Sequence, residues 1–170
     1  MAEKSKVPLT AAAVKTMASG KFLQIGCGKE HIDGYINMDI SDFCEPDLQH
    51  DIRGGFPMFE DNQFEEVLAN GILEMIHPNE EFVYVMNELW RIVKSGGLLV
   101  GQVPSTDPHV MGLDPFDKRW FKEETFDYWD VDAHAYKTFG TQYGFKPWHI
   151  VRAEVNDNGI ICFQMRPANK

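Results

Sequence analysis

The sequence predicts an α/β fold: a mostly parallel sheet flanked by helices, with a C-terminal antiparallel hairpin at one edge. Three observations carry that expectation. Short apolar runs bounded by glycine, proline and aspartate alternate with helical patterns as far as Val103. A long amphipathic pattern follows Pro78-Asn79. Near the end, two strand-like runs flank Asn156-Asp157-Asn158-Gly159, a strong hairpin signal.

Taken in order, Leu9 to Ala18 (LTAAAVKTMA) reads as a short helix closed by Gly20. Lys21 to Ile25 and Tyr35 to Ile40 read as buried strands. The segment Gly26 to Gly34 between them is too short for the usual crossover helix of a parallel sheet. Cys44 to His50 leads into DIRGGFP, a Gly-Pro loop, and then a turn at Glu60-Asp61-Asn62 and a strand near Glu66 to Ala69. Asn79 is placed to cap the main helix, and Glu80 and Glu81 suit its positive end. Phe82, Val85, Met86, Leu89 and Val93 share its apolar face, and Ser95-Gly96-Gly97 is expected to stop it. Leu98 to Val103 is apolar enough for a central strand. Pro104 to Asp117 is a Pro/Gly/Asp-rich loop, Lys122–Trp129 and Asp132–Tyr143 are expected short helices, and Trp148–Val155 pairs with Ile160–Met165.

Length and composition set bounds on function. At 170 residues, 44% apolar and 12% aromatic, the chain suits a single domain over 1–170, with 1–20 as an N-terminal arm and 104–145 as a lid and substrate-side segment. No apolar run approaches the roughly 20 residues that span a bilayer, and the first residues lack a signal-peptide core, so a cytoplasmic location is expected. Three unevenly spaced cysteines fit a reducing compartment. A net charge of -10 argues against a nucleic-acid partner, which needs Lys and Arg to displace counterions, but leaves room for a small-molecule substrate. No His or Cys spacing marks a metal site, so none is expected.

The stretch LQIGCGKEHIDGYINMDI poses the functional question. In an open parallel sheet, ligands bind beyond the carboxyl ends of the strands, where strand order reverses. Gly26 and Gly28 would let backbone approach a ligand there, and Asp39 could accept both hydroxyls of a ribose. On pattern alone a second reading stands beside this one, in which Gly-x-Gly makes a plain turn and Asp39 is a turn residue. A dinucleotide loop is disfavoured, because His31 stands where G-x-G-x-x-G needs its third glycine.

Read together, LQIGCG, GYINMDI, HDIRGGFPMFEDNQFEEVLANGILEMI and NELWRIVKSGGLLVGQVP resemble the class I S-adenosylmethionine-dependent methyltransferases. The likeness is strongest to a small branch whose Gly-Cys-Gly loop runs straight into G-Y/W-I-N-x-D. It implies a Rossmann-like fold, S-adenosyl-L-methionine as cofactor and S-adenosyl-L-homocysteine as product. It also implies roles: Gly26, Cys27 and Gly28 beside the methionine portion with Gln24 behind them, Asp39 on the ribose and Ile40 on the adenine. Asp51 and Ile52 would meet the adenine edge, and Asn70 and Gly71 the transferable methyl group. The chain departs from the pattern at Gln24, where an acidic residue is usual, at Glu30 in place of the third loop glycine, and at Leu73-Glu74-Met75, where Leu-Glu-His is common.

Methyl transfer from a sulfonium mainly needs orientation of the reactants, so the motif leaves the catalytic residue open. His77, His109 and Arg119 are the candidates, His109 as a base and Arg119 as an anion binder, with Trp120 able to stack on a flat group. Three functions compete. One is methyl transfer to a small-molecule acceptor, and another is an inactive S-adenosylmethionine-binding sensor or partner subunit; either admits a homodimer or a partner protein. The third is a nicotinamide-dependent oxidoreductase.

Overall fold

In the computed structural model, which describes residues 20–170, seven strands form one sheet. They are β1 (Phe22–Ile25), β2 (Ile36–Asp39), β3 (Leu48–Gln49), β4 (Phe64–Asn70), β5 (Val93–Pro104), β6 (Trp148–Val155) and β7 (Ile160–Pro167). Their spatial order is β3-β2-β1-β4-β5-β7-β6. Pairing is parallel from β3 through β5 and antiparallel for β5-β7 and β7-β6. The fold is therefore the expected α/β one, with the hairpin at the edge. The expected helix Leu9–Ala18 lies outside the described residues.

Alternation along the strands explains which face is buried. Leu23 and Ile25 pair with Ile36 and Met38 on one side and Val67 and Ala69 on the other, and all are at most 4% exposed. Leu99, Phe163 and Met165 extend this apolar face across β5 and β7. Helix α1 (Asn79–Ile92) lays Phe82, Val85, Met86, Leu89 and Ile92 on the same core, as its periodicity predicts. Burying each such side chain contributes about 1.5–3 kcal/mol.

Both ends of α1 differ from expectation. Pro78, not Asn79, occupies the cap position, with no side-chain cap bond; Asn79 is the first helical residue, and its Oδ1 faces Arg119 at 3.4 Å. At the other end the chain passes directly into β5 at Val93. Ser95-Gly96-Gly97, expected as a helix stop, is a bulge within that strand: the register with β4 jumps from Phe64↔Val93 to Glu66↔Leu98. Gly97 is needed there because a Cβ would stand 2.9 Å from the Glu65 carbonyl oxygen.

The expected short helices of the second half exist as different coils. Glu123–Tyr128 is a 3-10 helix, and Tyr136–Gly140 is a π-helical turn running into α2 (Thr141–Tyr143). The intervening loop is pinned at its neck, where Phe121 N–H donates to the Pro104 carbonyl at 3.1 Å and Thr106 N–H to the Phe121 carbonyl at 3.0 Å. Strand β3, within Cys44–His50, is too short for periodicity to reveal.

Candidate functional site

β1 lies between β2 and β4, so the chain leaves it in opposite directions on its two sides. Such a switch point opens a crevice beyond the carboxyl ends of the strands. Here the loops after β1 and β4 close on each other. Gly26 has φ +64°, and a Cβ on it would stand 3.0 Å from Ile72. Only glycine permits both the left-handed backbone and that approach.

The connection from β1 to β2 carries no helix, as its length predicts, and hydrogen bonds replace one. Cys27 N–H donates to the Met38 carbonyl at 3.0 Å, and Gly28 N–H donates to Asp39 Oδ2 at 2.9 Å. Asn37, 5% exposed, accepts from Ile32 N–H at 2.9 Å and donates to the Ile32 and Tyr35 carbonyls and to Asp47. GYINMDI thus divides its labour by strand parity: Ile36 and Met38 enter the core, while Asn37 and Asp39 fix the loop.

Asp39 ends β2 with both oxygens oriented by backbone, Oδ2 by Gly28 and Oδ1 by Ser41 N–H at 2.8 Å. A carboxylate has about four lone-pair positions, so two remain for another partner. Gly28 has φ +53° and open space where a Cβ would stand. Gln24, on the same sheet face, is 5% exposed, and its Oε1 has no hydrogen-bond partner among the described residues. The Cys27 thiol is pushed up to about 11 by burial and by Asp39, which leaves it unreactive near neutrality.

The other sequence candidates spread along the same edge. Ile40 is exposed. Asp51 caps the 3-10 turn Ile52–Gly54 and binds Arg53 through both oxygens; that pairing holds its carboxyl below the usual range. Ile52 is buried in the core cluster. Asn70 and Gly71 end β4, with Gly71 N–H donating to the Gln102 carbonyl at 3.0 Å. His77 and His109 are exposed and apart from the crevice residues in the hydrogen-bond pattern, His109 sitting in a turn made by Asp107. Arg119 donates to the Ile76 carbonyl at 2.7 Å and stacks on Phe82 at 3.8 Å, with its Nε buried and without a partner among the described residues. It borders a groove of about 770 Å³ lined also by Trp120, Tyr128, Trp129 and Tyr143.

Two groupings escaped the sequence reading. Glu74, in the 3-10 turn Leu73–Met75, is 4% exposed, and its Oε2 has no partner among the described residues. Burial first, then Asp117 and Asp114, push its carboxyl up to about 7. The departure from Leu-Glu-His marked this turn, but its burial is a tertiary property. The other grouping is Asp130, Asp132 and His149, whose ligand atoms lie within 4.8 Å of one another. It is largely exposed, at the β6 edge, and arises from residues distant in sequence.

The chain matches no protein-family model and no curated protein by sequence. It is similar in structure to the trans-methyltransferase CalH in complex with SAH, at TM-score 0.60 and 15% identity over 92% of this chain. The fold is shared with S-adenosylmethionine-dependent methyltransferases. A 16S rRNA (adenine(1408)-N(1))-methyltransferase from Catenulisporales acidiphilia, solved with cosubstrate SAM, aligns at TM-score 0.56 and 11% identity, over 92% of this chain and 88% of that one. The DszA carbon methyltransferase aligns at TM-score 0.54 and 15% identity, over 94% of this chain and 50% of that one. The chain spans little more than half of the CalH chain, 54%. Among the described residues, no helix is long and apolar enough to cross a membrane.

Proposed function

We propose that the chain binds S-adenosylmethionine at the carboxyl ends of β1, β2 and β4 and transfers its methyl group to a small-molecule acceptor. The observation that carries this reading is Asp39, held by the Gly28 and Ser41 amides at a switch point with two lone-pair positions free. Two hydroxyls of a ribose are the partner that such a carboxylate suits. Gly26, Cys27 and Gly28 lie beside the methionine portion, and the orphan Oε1 of Gln24 stands ready to accept from its ammonium. Exposed Ile40 packs on the adenine, while Asp51 is available at the ring's edge through the lone pairs that Arg53 leaves. Ile52 supports that edge from the core. Asn70 and Gly71 border the transferable methyl group.

The bound cofactor supplies an activated methyl group, and the protein's task is to orient the reactants and exclude water. The groove beside Arg119 has the volume and aromatic lining usual for a small organic ligand. The loop Pro104–Phe121, pinned at its neck, covers that side as a lid.

Calorimetric titration of S-adenosylmethionine and S-adenosylhomocysteine into wild type and Asp39→Ala tests the reading. Micromolar binding is expected for wild type. Each charged hydrogen bond contributes about 1.5–3 kcal/mol, so Asp39→Ala is expected to weaken it at least tenfold. Absence of binding to wild type would sink the cofactor assignment.

A further inference from the structure

We infer that Glu74 is the proton-accepting carboxylate of the acceptor site, and that the acceptor's nucleophile is an amine. The inference rests on the cofactor reading above and names the acceptor's chemical class. Glu74 follows the end of β4 by one short turn, and its Oε1 lies 3.6 Å from where a Cβ on Gly71 would stand. The carboxylate therefore hangs over the residue that borders the methyl group. It is 4% exposed, and Oε2 has no hydrogen-bond partner among the described residues. A buried acceptor left unpaired is costly, so a partner that arrives with the substrate accounts for it.

The surroundings set the sign of that partner. The loop over Glu74 contributes Asp114 and Asp117, whose charges act on it, and Lys118 meets it only through the backbone, N–H to the Glu74 carbonyl at 2.9 Å. Arg119, on the same loop, turns its guanidinium to the Ile76 carbonyl, the Asn79 side chain and the Phe82 ring, with Nε unpartnered among the described residues. Two carboxylates acting on a buried third favour a cation and disfavour an anion, although the Lys118 charge offsets part of Asp117. Burial keeps Glu74 able to exchange a proton near neutrality, where a solvated glutamate is already ionised.

The step balances as follows. An ammonium acceptor gives one proton to the Glu74 carboxylate. The freed nitrogen lone pair attacks the methyl carbon, the carbon–sulfur bond breaks, and its electron pair returns to sulfur. The products are a methylated ammonium, neutral S-adenosylhomocysteine and protonated Glu74, which then loses its proton to solvent. His77 and His109 are not required by this scheme.

The test uses sinefungin, the cofactor analogue in which a carbon bearing an ammonium group replaces the sulfonium and so places a cation at the methyl position. Wild type and Glu74→Gln are titrated with S-adenosylhomocysteine and with sinefungin at pH 6, in two buffers of different ionisation enthalpy. Wild type is expected to hold sinefungin at least about tenfold more tightly than S-adenosylhomocysteine. It is also expected to release about one proton on binding it, because a cation beside Glu74 favours the ionised form. Glu74→Gln is expected to bind S-adenosylhomocysteine unchanged and to lose both the preference and the proton release. A preference that survives the substitution overturns the inference while the cofactor reading stands. The proton count on wild type needs no variant, and a count of zero overturns it equally. Failure of wild type to bind S-adenosylhomocysteine removes the cofactor reading, and the inference with it.

Discussion

Gly26 and Gly28 stand two residues apart in one loop, yet they are glycine for different reasons. At Gly26 a side chain would meet Ile72 at 3.0 Å and would also force a left-handed backbone on an L residue. At Gly28 the backbone is again left-handed, φ +53°, but nothing lies within 4 Å. Strain of that kind costs about 1–2 kcal/mol per residue. Gly26→Ala is therefore expected to destabilise the fold by more than that, and Ile72→Ala in the same chain to recover part of the loss. Gly28→Ala is expected to cost about 1 kcal/mol in urea denaturation but, on the proposed function, to abolish binding of S-adenosylhomocysteine, since its Cβ would enter the space proposed for the ligand. Equal losses of stability in the two variants, with binding retained in Gly28→Ala, would contradict this division. The glycines and Asp39 were legible in the sequence because their conformational and charge requirements are local. Glu74 was not, because only the fold reveals that a charged residue on an ordinary turn is buried and lies within the influence of Asp114 and Asp117.

At the scale of elements, the first half of the sheet departs from common βαβ architecture: β1 to β2 is joined without a helix, and the next two connections carry only short 3-10 turns. A crossover helix usually covers the sheet and fixes the second strand's register. Asn37 holds the loop to the second strand through bonds to Ile32, Tyr35 and Asp47, beside the Cys27–Met38 and Gly28–Asp39 bonds. Asn37→Ala leaves the Ile32 N–H unpaired and frees the loop that carries Gly28, which orients Asp39. A loss of about 1–3 kcal/mol in stability is expected, together with weaker cofactor binding although Asn37 lies behind the loop. Hydrogen exchange localised to 26–39 would show the loosened loop; protection unchanged there would argue that backbone bonds suffice. Element existence was legible wherever periodicity ran long, as in α1 and the β6-β7 hairpin. The Ser95-Gly96-Gly97 bulge was misread because glycines that end a helix and glycines that let a strand bulge are written alike. Only the pairing with β4 distinguishes them.

For the whole molecule, the decisive quantity is charge. The net value of -10 argues against nucleic acid, and part of it acts near the ends of the central strands: Asp39 ends β2, and Asp114 and Asp117 act on Glu74, one turn beyond β4. S-Adenosylmethionine carries one more positive charge than its demethylated product, so on the proposed function the field of the protein is expected to separate the two. Screening weakens that separation: the Debye length falls from about 30 Å at 0.01 M salt to about 3 Å at 1 M. At pH 8, where Glu74 is ionised, the affinity for S-adenosylmethionine is expected to fall about three- to tenfold across that range. Affinity for S-adenosylhomocysteine is expected to change less than about twofold, since it is neutral overall. The measurement is the ratio of the two dissociation constants against salt. A ratio that converges at high salt assigns the discrimination to the protein's field, and with it a means of releasing product after each transfer. A ratio independent of salt would place the discrimination in direct contacts too close to be screened, and the acidic edge would then act on the acceptor rather than on the cofactor.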